Sequence, residues 1–402
     1  MTIMNRHDMQ PLAQRFDTAS ARGFGLVELM VSMAIGLVII AAMVALFLGT
    51  SRNNREMASA NSVIENGRFA IQLLEDDLLH AGYWGTWVPR FDNPTVAVAP
   101  GDAPAVGAPP PDPCLAYSAG DWNAAYYSSL IGVPVQAYEA DDATLPCAAV
   151  ATDRVADSDV LVVRHAEMCV PGVGECEADI NGRIYIQSSL CVGETPPMVI
   201  GPNAADFTLT ARNCTALAEK RRFISHIYYV RDYARVAGDG IPTLVRSEFD
   251  LTDPANPASP LSHQPPVALI EGVDAMRVEI GIDTTSITNE PVVNAAPIVW
   301  EVDPDYPNAK QFARNRGDGI PDGAFVRCTA LTPCTAAQLA NATAVRVYVL
   351  ARSRETTTGY TDTKEYLLGA SGAVGPFDDG FKRHVYATTV RLINVSGRRE
   401  RP

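Results

Sequence analysis

The chain has 402 residues, 47% of them apolar, which is longer than a typical single domain and supports a substantial core. Its formal net charge of −14 argues against DNA or another polyanion as the main ligand. Eight cysteines, an even number, point to an oxidised compartment and structural disulfides.

The first predicted element is a long apolar helix. Residues 29–48 are twenty positions without a charge, about 30 Å as a helix and enough to cross a bilayer core. Glu28 stands at the lip of this run, where an ionisable group is costly and calls for a partner. A secretory signal has a shorter apolar core, about 7–15 residues, followed by a small-x-small cleavage site. Here Leu48-Gly49-Thr50-Ser51-Arg52 offers no such site. A plain signal anchor fits the length but leaves Glu28 unexplained. Arg6, Arg15 and Arg22 against Asp8 and Asp17 precede the span, and Arg52 and Arg55 follow it, so charge barely orients it.

The stretch Gly23-Phe24-Gly25-Leu26-Val27-Glu28-Leu29-Met30 resembles the processing site of type IV prepilins and pseudopilins. The resemblance implies a leader of residues 1–23, cleavage by a prepilin peptidase between Gly23 and Phe24, and N-methylation of Phe24. It places the N-terminus in the cytoplasm. It also makes Glu28 the assembly residue, pairing with the N-terminal amine of a neighbouring subunit. Such a pair takes a carboxylate and an ammonium out of lipid together. The leader carries three Arg and two Asp, so its removal takes the charge from −14 to −15.

From residue 51 to about residue 81 the helix is expected to continue into water. Met57, Ala60, Ile64, Gly67, Ile71, Leu74 and Leu78 recur at alternating steps of three and four, broadened by Val63, Ala70 and Leu73. Gly82 is the expected C-cap, supported by Gly85. The whole helix would have about 53 residues and a length of roughly 80 Å. Asn66-Gly67-Arg68-Phe69-Ala70 and Ala81-Gly82-Tyr83-Trp84-Gly85 resemble the end of the long helix in PilW-type minor pilins, with Arg68 and Phe69 expected to face the head.

Residues 86–155, rich in Pro, Gly, Ala and Asp, read as a long connecting region with turns. The cysteines follow the span: Cys114, Cys147, Cys169, Cys176, Cys191, Cys214, Cys328 and Cys334. Many connectivities are open, and pairing sequence neighbours gives the shortest loops: 114–147, 169–176, 191–214 and 328–334. Strand-like runs lie at 159–164, 183–187, 223–230, 243–246, 276–282, 344–350 and 384–393, with few helical periods between them. They predict a mainly antiparallel sheet laid on the helix. Segments 158–161, 241–246, 271–278 and 383–394 also resemble PilW-type sequences. The expected fold class is therefore α+β and pilin-like. Its parts are the leader (1–23), a transmembrane and filament-core half-helix (24–50), an amphipathic half-helix (51–82) and a disulfide-containing periplasmic β-rich head with large insertions (83–402).

Gly-Asp-Gly-Ile-Pro occurs at 238–242 and again at 317–321. The second copy, continuing into Asp322-Gly323, resembles calcium-binding loops, with Asp318 and Asp322 as candidate ligands. EF-hand spacing is missing and turns use the same residues, so no metal and no cofactor are expected. The six histidines are scattered, without HExxH, GxSxG or Walker sequences, and His165 and His226 read as packed or surface residues. Arg398, Arg399 and Arg401 read as a solvated tail.

The resemblance thus implies a non-enzymatic minor pilin of the type IV pilus. It would be held in the inner membrane with a periplasmic head, then incorporated in the pilus, at its tip. Its partners would be other minor pilins, the major pilin, the prepilin peptidase and a tip adhesin. A type II secretion pseudopilin, and a membrane-anchored periplasmic binding protein or enzyme, are the alternative readings.

Overall fold

The structure, a computed structural model, describes residues 23, 25–86, 108–140, 145–294, 296–302, 311–397 and 399. The leader before Gly23, Phe24, the Pro-rich residues 99–104, Arg398 and Arg401 lie outside them. Two compact units are present, residues 1–57 and 58–402, and one helix, α1 (Leu26–His80), contributes to both. Within the first unit its large apolar side chains, among them Leu26, Met30, Val38, Leu46 and Phe47, are exposed. The helix is long and apolar enough to cross a membrane. Full burial of each such side chain is worth about 1.5–3 kcal/mol, so this stretch is suited to an apolar surrounding rather than to water.

The second unit is built from antiparallel strands packed on the rest of α1. An eight-stranded sheet contains β1 (Val135–Glu139), β2 (Asp159–Ala166), β3 (Tyr185–Ser188), β4 (Met198–Gly201), β5 (Lys220–Arg231), β6 (Thr243–Leu251), β7 (Leu261–His263) and β8 (Val267–Glu271). Its path runs β1-β2-β5-β3-β4, and β6 pairs with β5, β7 and β8. A three-stranded sheet joins β9 (Val273–Ile282), β12 (Ala342–Arg352) and β15 (Arg383–Arg391), with β12 central. Two small ribbons pair β10 (Trp300–Val302) with β11 (Gln311–Ala313), and β13 (Tyr366–Leu367) with β14 (Ala373–Val374). Short helices α2 (Ala124–Gly132), α3 (Ala336–Ala340) and α4 (Ile393–Ser396) complete the described elements.

The main core lies where α1 meets both sheets. Ala70, Leu74, Leu78 and Ala81 pack with Leu161, Val163, Tyr228 and Val230 of one sheet and with Val278, Val345, Val347 and Val390 of the other. β2 is buried along its whole length because both of its faces are covered. Leu161 and Val163 face the main core, whereas Val160 and Val162 face a second cluster with Leu145, Cys147, Ile227 and Tyr229. Cys114 packs on that second cluster and is bonded to Cys147, so the disulfide itself is part of the cluster on the outer face of the sheet. The other bonds are Cys169–Cys176, Cys191–Cys214 and Cys328–Cys334.

Several expectations are corrected. The buried face of α1 is Val63, Gly67, Ala70, Leu74, Asp77 and Leu78. Met57, Ala60 and Ile64 are exposed. Val63, Gly67, Ala70, Leu74 and Leu78 of the expected stripe are thus covered, and Asp77, a carboxylate that an apolar pattern does not register, joins them. Arg68 and Phe69 are largely exposed, while Phe69 also lines a cleft of about 380 Å³ with the head residues Glu271, Arg352 and Arg354. The connecting region holds α2 and β1, not turns alone. Asn123 caps α2 by accepting from the Ala125 and Tyr126 amides, and Leu130 and Ile131 pack with Trp84 and Trp122. Arg399 is not solvated: it is buried, donates to the Ala340 carbonyl at 2.6 Å and lies 3.5 Å from Asp283.

The helix stops as the sequence indicates. Gly82 takes a positive φ of 75°, which admits glycine without strain, and its amide bonds to the Arg164 carbonyl at 3.0 Å. Closer to the middle of α1, a Cβ on Gly67 would sit 2.1 Å from a ring carbon of Tyr386. Gly67→Ala gains about 1 kcal/mol of helix propensity, but overpacking costs about 1–3 kcal/mol. Urea unfolding of the detergent-solubilised protein should therefore show Gly67→Ala less stable than the parent, with partial recovery on adding Tyr386→Ala; a more stable Gly67→Ala protein would refute this packing. Replacing Cys114 and Cys147 by Ser opens a loop with a sequence separation of 33. The same measurement should show a loss of about 3–4 kcal/mol.

Candidate functional site

Two regions carry the residues with a claim to function. The first is the start of α1. Gly23 and Glu28 are exposed, and Glu28 lies in the first helical turn, where unpaired amides and the helix dipole favour negative charge. Phe24, where the sequence leads one to expect methylation, lies outside the described residues. Glu28 forms no ion pair among the described residues, and the helix that follows it exposes its apolar side chains all round.

The second region is the junction of α1 with the head, where segments distant in sequence meet. Asn66 Nδ2 donates to the Glu271 carbonyl at 2.9 Å, and Gly67 admits the Tyr386 ring. The Gly272 amide donates to the Pro242 carbonyl at 2.8 Å. Ser158 Oγ accepts from the Met276 amide at 3.0 Å, and Asp159 Oδ2 accepts from the Val278 amide at 2.8 Å, tying β2 to β9. Asp274 receives Arg383 Nε at 2.6 Å, and Arg383 also bonds Asp362 and Asp379 and lies over the Phe377 ring. Segment 271–278 is thus the hub, reached from the helix, from residues 158–159, from Pro242 and from β15.

Below that hub, Asp77 enters the core. Val163 faces His226 across β2 and β5, and His226 faces Glu248 across β5 and β6. Alternation along β2 brings His165 to the same face as Val163. His165 Nε2 lies 2.9 Å from Asp77 Oδ1, and His226 Nδ1 lies 3.0 and 3.1 Å from the two carboxylate oxygens. All three residues are buried. Burial pushes the Asp77 carboxyl up, yet His226 and His165 outweigh it and hold the group well below the usual carboxylate range. Burial likewise lowers the His165 imidazole, and the bond and charge of Asp77 reverse this to a net upward shift. Tyr228, pushed far up by burial and then by Asp77, stays a neutral phenol.

These three residues were not singled out together by sequence reasoning. The available signal was Asp77 itself: an acidic residue three positions after Leu74 on a core-facing stripe needs a buried partner. Of the packed and surface positions expected for His165 and His226, the structure gives buried ones.

The Gly-Asp-Gly-Ile-Pro pair has a local explanation. Asp239 Oδ1 accepts from the Ile241 amide at 3.0 Å, and Asp318 Oδ1 accepts from the Ile320 amide at 2.9 Å, the same turn made twice. Backbone amides of residues 234–236 also bond Asp239 and, led by Arg235, hold its carboxyl far below the usual range. Asp322 receives the amides and hydroxyls of Thr284 and Thr285, which overcome burial and lower its carboxyl. Nearby Asp283 is pushed up to about 6 by burial, with Asp318 and Asp322 adding to the shift.

Residues 227–394, which run from within β5 into α4 and contain the hub, match the family model of the type IV pilus-assembly protein W. Residues 18–48 match the prokaryotic N-terminal methylation motif, ahead of and along the apolar part of α1. No curated protein matches the chain. Among solved structures, a type IV-like pilin from Thermus thermophilus aligns at 12% identity and a TM-score of 0.22, covering 60% of this chain and 80% of that one. The chain thus contains a region similar to the type IV pilus-assembly protein W family, residues 227–394, and a match to the N-terminal methylation motif, residues 18–48.

Proposed function

We propose that this protein is a minor pilin that takes part in type IV pilus assembly, in a priming complex at the filament tip. The observation that carries this reading is the combination on one chain of the methylation motif, the exposed apolar helix behind it and the PilW domain. The motif and the helix fit membrane anchoring followed by incorporation in a pilus. In this reading residues 1–23 are a leader removed by the prepilin peptidase between Gly23 and Phe24, and Phe24 is N-methylated.

Residues 24–50 then serve first as the inner-membrane anchor and later as the filament core. Small residues on that stretch, Ser32, Ala34, Gly36 and Ala41, let neighbouring helices approach closely. Glu28 sets the register by pairing with the N-terminal amine of the next subunit, because both charges lose water on entering an apolar core. Residues 51–82 hold the periplasmic head of residues 83–402. A head of that bulk suits a tip position better than a crowded shaft, beside other minor pilins, the major pilin and a tip adhesin. The role is structural rather than enzymatic. The PilW match favours the pilus over a type II secretion pseudopilin.

Deleting the gene should abolish or sharply reduce surface piliation and twitching. Normal piliation in the deletion strain would remove the assembly role. Glu28→Ala should still be cleaved and methylated but reach sheared pili at a level at least several-fold lower, as read by immunoblot. Parental incorporation of Glu28→Ala would contradict the charge pairing.

A further inference from the structure

We propose that Asp77, His165 and His226 bind a divalent transition metal, zinc in the first instance, that ties the last turns of α1 to β2 and β5. The three residues offer one ligand atom each within 4.8 Å of one another, and all are buried. Two metal bonds of about 2.1 Å meeting at tetrahedral or octahedral angles span ligand separations of about 3.0–3.4 Å. The observed carboxylate-to-imidazole separations are 2.9, 3.0 and 3.1 Å, whereas the widest separation among the three ligand atoms extends to 4.8 Å, so seating an ion requires the two imidazoles to close by about 1 Å.

The hydrogen inventory gives an independent reason. His165 Nδ1 lies 2.9 Å from the Ala166 carbonyl, which can only accept, so Nδ1 carries a hydrogen. In the neutral ring Nε2 is then a bare lone pair, and it is aimed at a carboxylate oxygen 2.9 Å away. Two acceptors at that distance require a positive centre between them, a proton or a metal. The surroundings suit the metal. Histidine ligands turn their second nitrogen to a carbonyl or carboxylate, which fixes the ring. His165 does so with Ala166, and His226 Nε2 lies 4.0 Å from Glu248. Tyr228 Oη, 3.5 Å from His226 Nδ1, offers a further oxygen on the same side. Arg246, the cation beside this row, is 3.9 Å from Glu248, which offsets its charge.

Donor chemistry selects the ion. Two imidazoles and one carboxylate suit zinc and its neighbours in the first transition row, whereas calcium and magnesium take oxygen shells. The ligands are separated by 88 and 149 residues in sequence. Metal binding would therefore act as a cross-link across most of the fold, and its free energy would be folding free energy.

The test uses untagged full-length protein, expressed with added zinc and purified in detergent without chelator. It should carry about one zinc per chain by plasma mass spectrometry. Removing the metal with a strong chelator should lower Tm by several degrees, and zinc should restore it. Cobalt in place of zinc should give visible d–d absorption. His165→Gln and His226→Gln should weaken zinc binding at least about tenfold while keeping the far-ultraviolet circular dichroism. Zinc well below stoichiometric in the parent, with no Tm response to about 100 µM zinc, overturns the proposal. Unchanged affinity in His226→Gln overturns it as well, because the metal would then lie elsewhere. Should either variant fail to fold, the parent's stoichiometry, Tm response and cobalt spectrum decide the question alone.

Discussion

The head is organised around one constraint: the face of α1 from Val63 to Leu78 has to be covered on a sheet at very close range. Two features make this possible. Gly67 removes a side chain where the Tyr386 ring approaches, and Ala70 keeps the contact tight before Leu74 and Leu78 supply apolar bulk. Asp77 then adds a polar anchor in the same face, satisfied by two imidazoles from adjacent strands. A buried carboxylate without those partners would cost several kcal/mol, so it tolerates only one register of helix against sheet. Apolar packing holds the helix down, and Asp77 makes the placement specific.

The same economy of position explains the segments that resemble PilW-type sequences. They are scattered from residue 66 to residue 394, yet they converge on residues 271–278. Asn66 satisfies the Glu271 carbonyl, and Ser158 and Asp159 satisfy amides of Met276 and Val278. Arg383 neutralises Asp274. Each contact satisfies a polar group that the core would otherwise leave unpaired, and buried polar groups are expensive to orphan. The matched region 227–394 contains this hub, while β2, outside it, also receives the helix through Leu161, Val163 and His165. By contrast, the Cys114–Cys147 disulfide lies on the far face of the sheet, where it supplements a small apolar cluster.

Two carboxylates of helix α1, Glu28 near its start and Asp77 near its end, differ in how they are satisfied. Asp77 finds its partners within the chain. Glu28 is exposed at the head of an apolar run and makes no ion pair among the described residues. In the proposed assembly its partner comes from another subunit, so one helix would use the same physics once for folding and once for polymerisation.

By itself the sequence determined the long helix, its stop at Gly82 and the principal strands, because these depend on local periodicity, a positive φ and β-branched runs. It also displayed the processing motif, which is linear. Tertiary structure decided how much of the expected helix face is buried: Val63, Gly67, Ala70, Leu74 and Leu78 are covered, Met57, Ala60 and Ile64 stay exposed, and Asp77 joins the buried face. It also decided that α2 and β1 form within a Pro-rich region, that Arg399 is buried against Ala340 and Asp283, and that Asp77 meets His165 and His226. These outcomes depend on groups 59 to 149 residues apart, as in the Arg399–Ala340 and Asp77–His226 contacts. No local pattern encodes such a meeting; a polar residue on an apolar stripe only announces that a partner must exist.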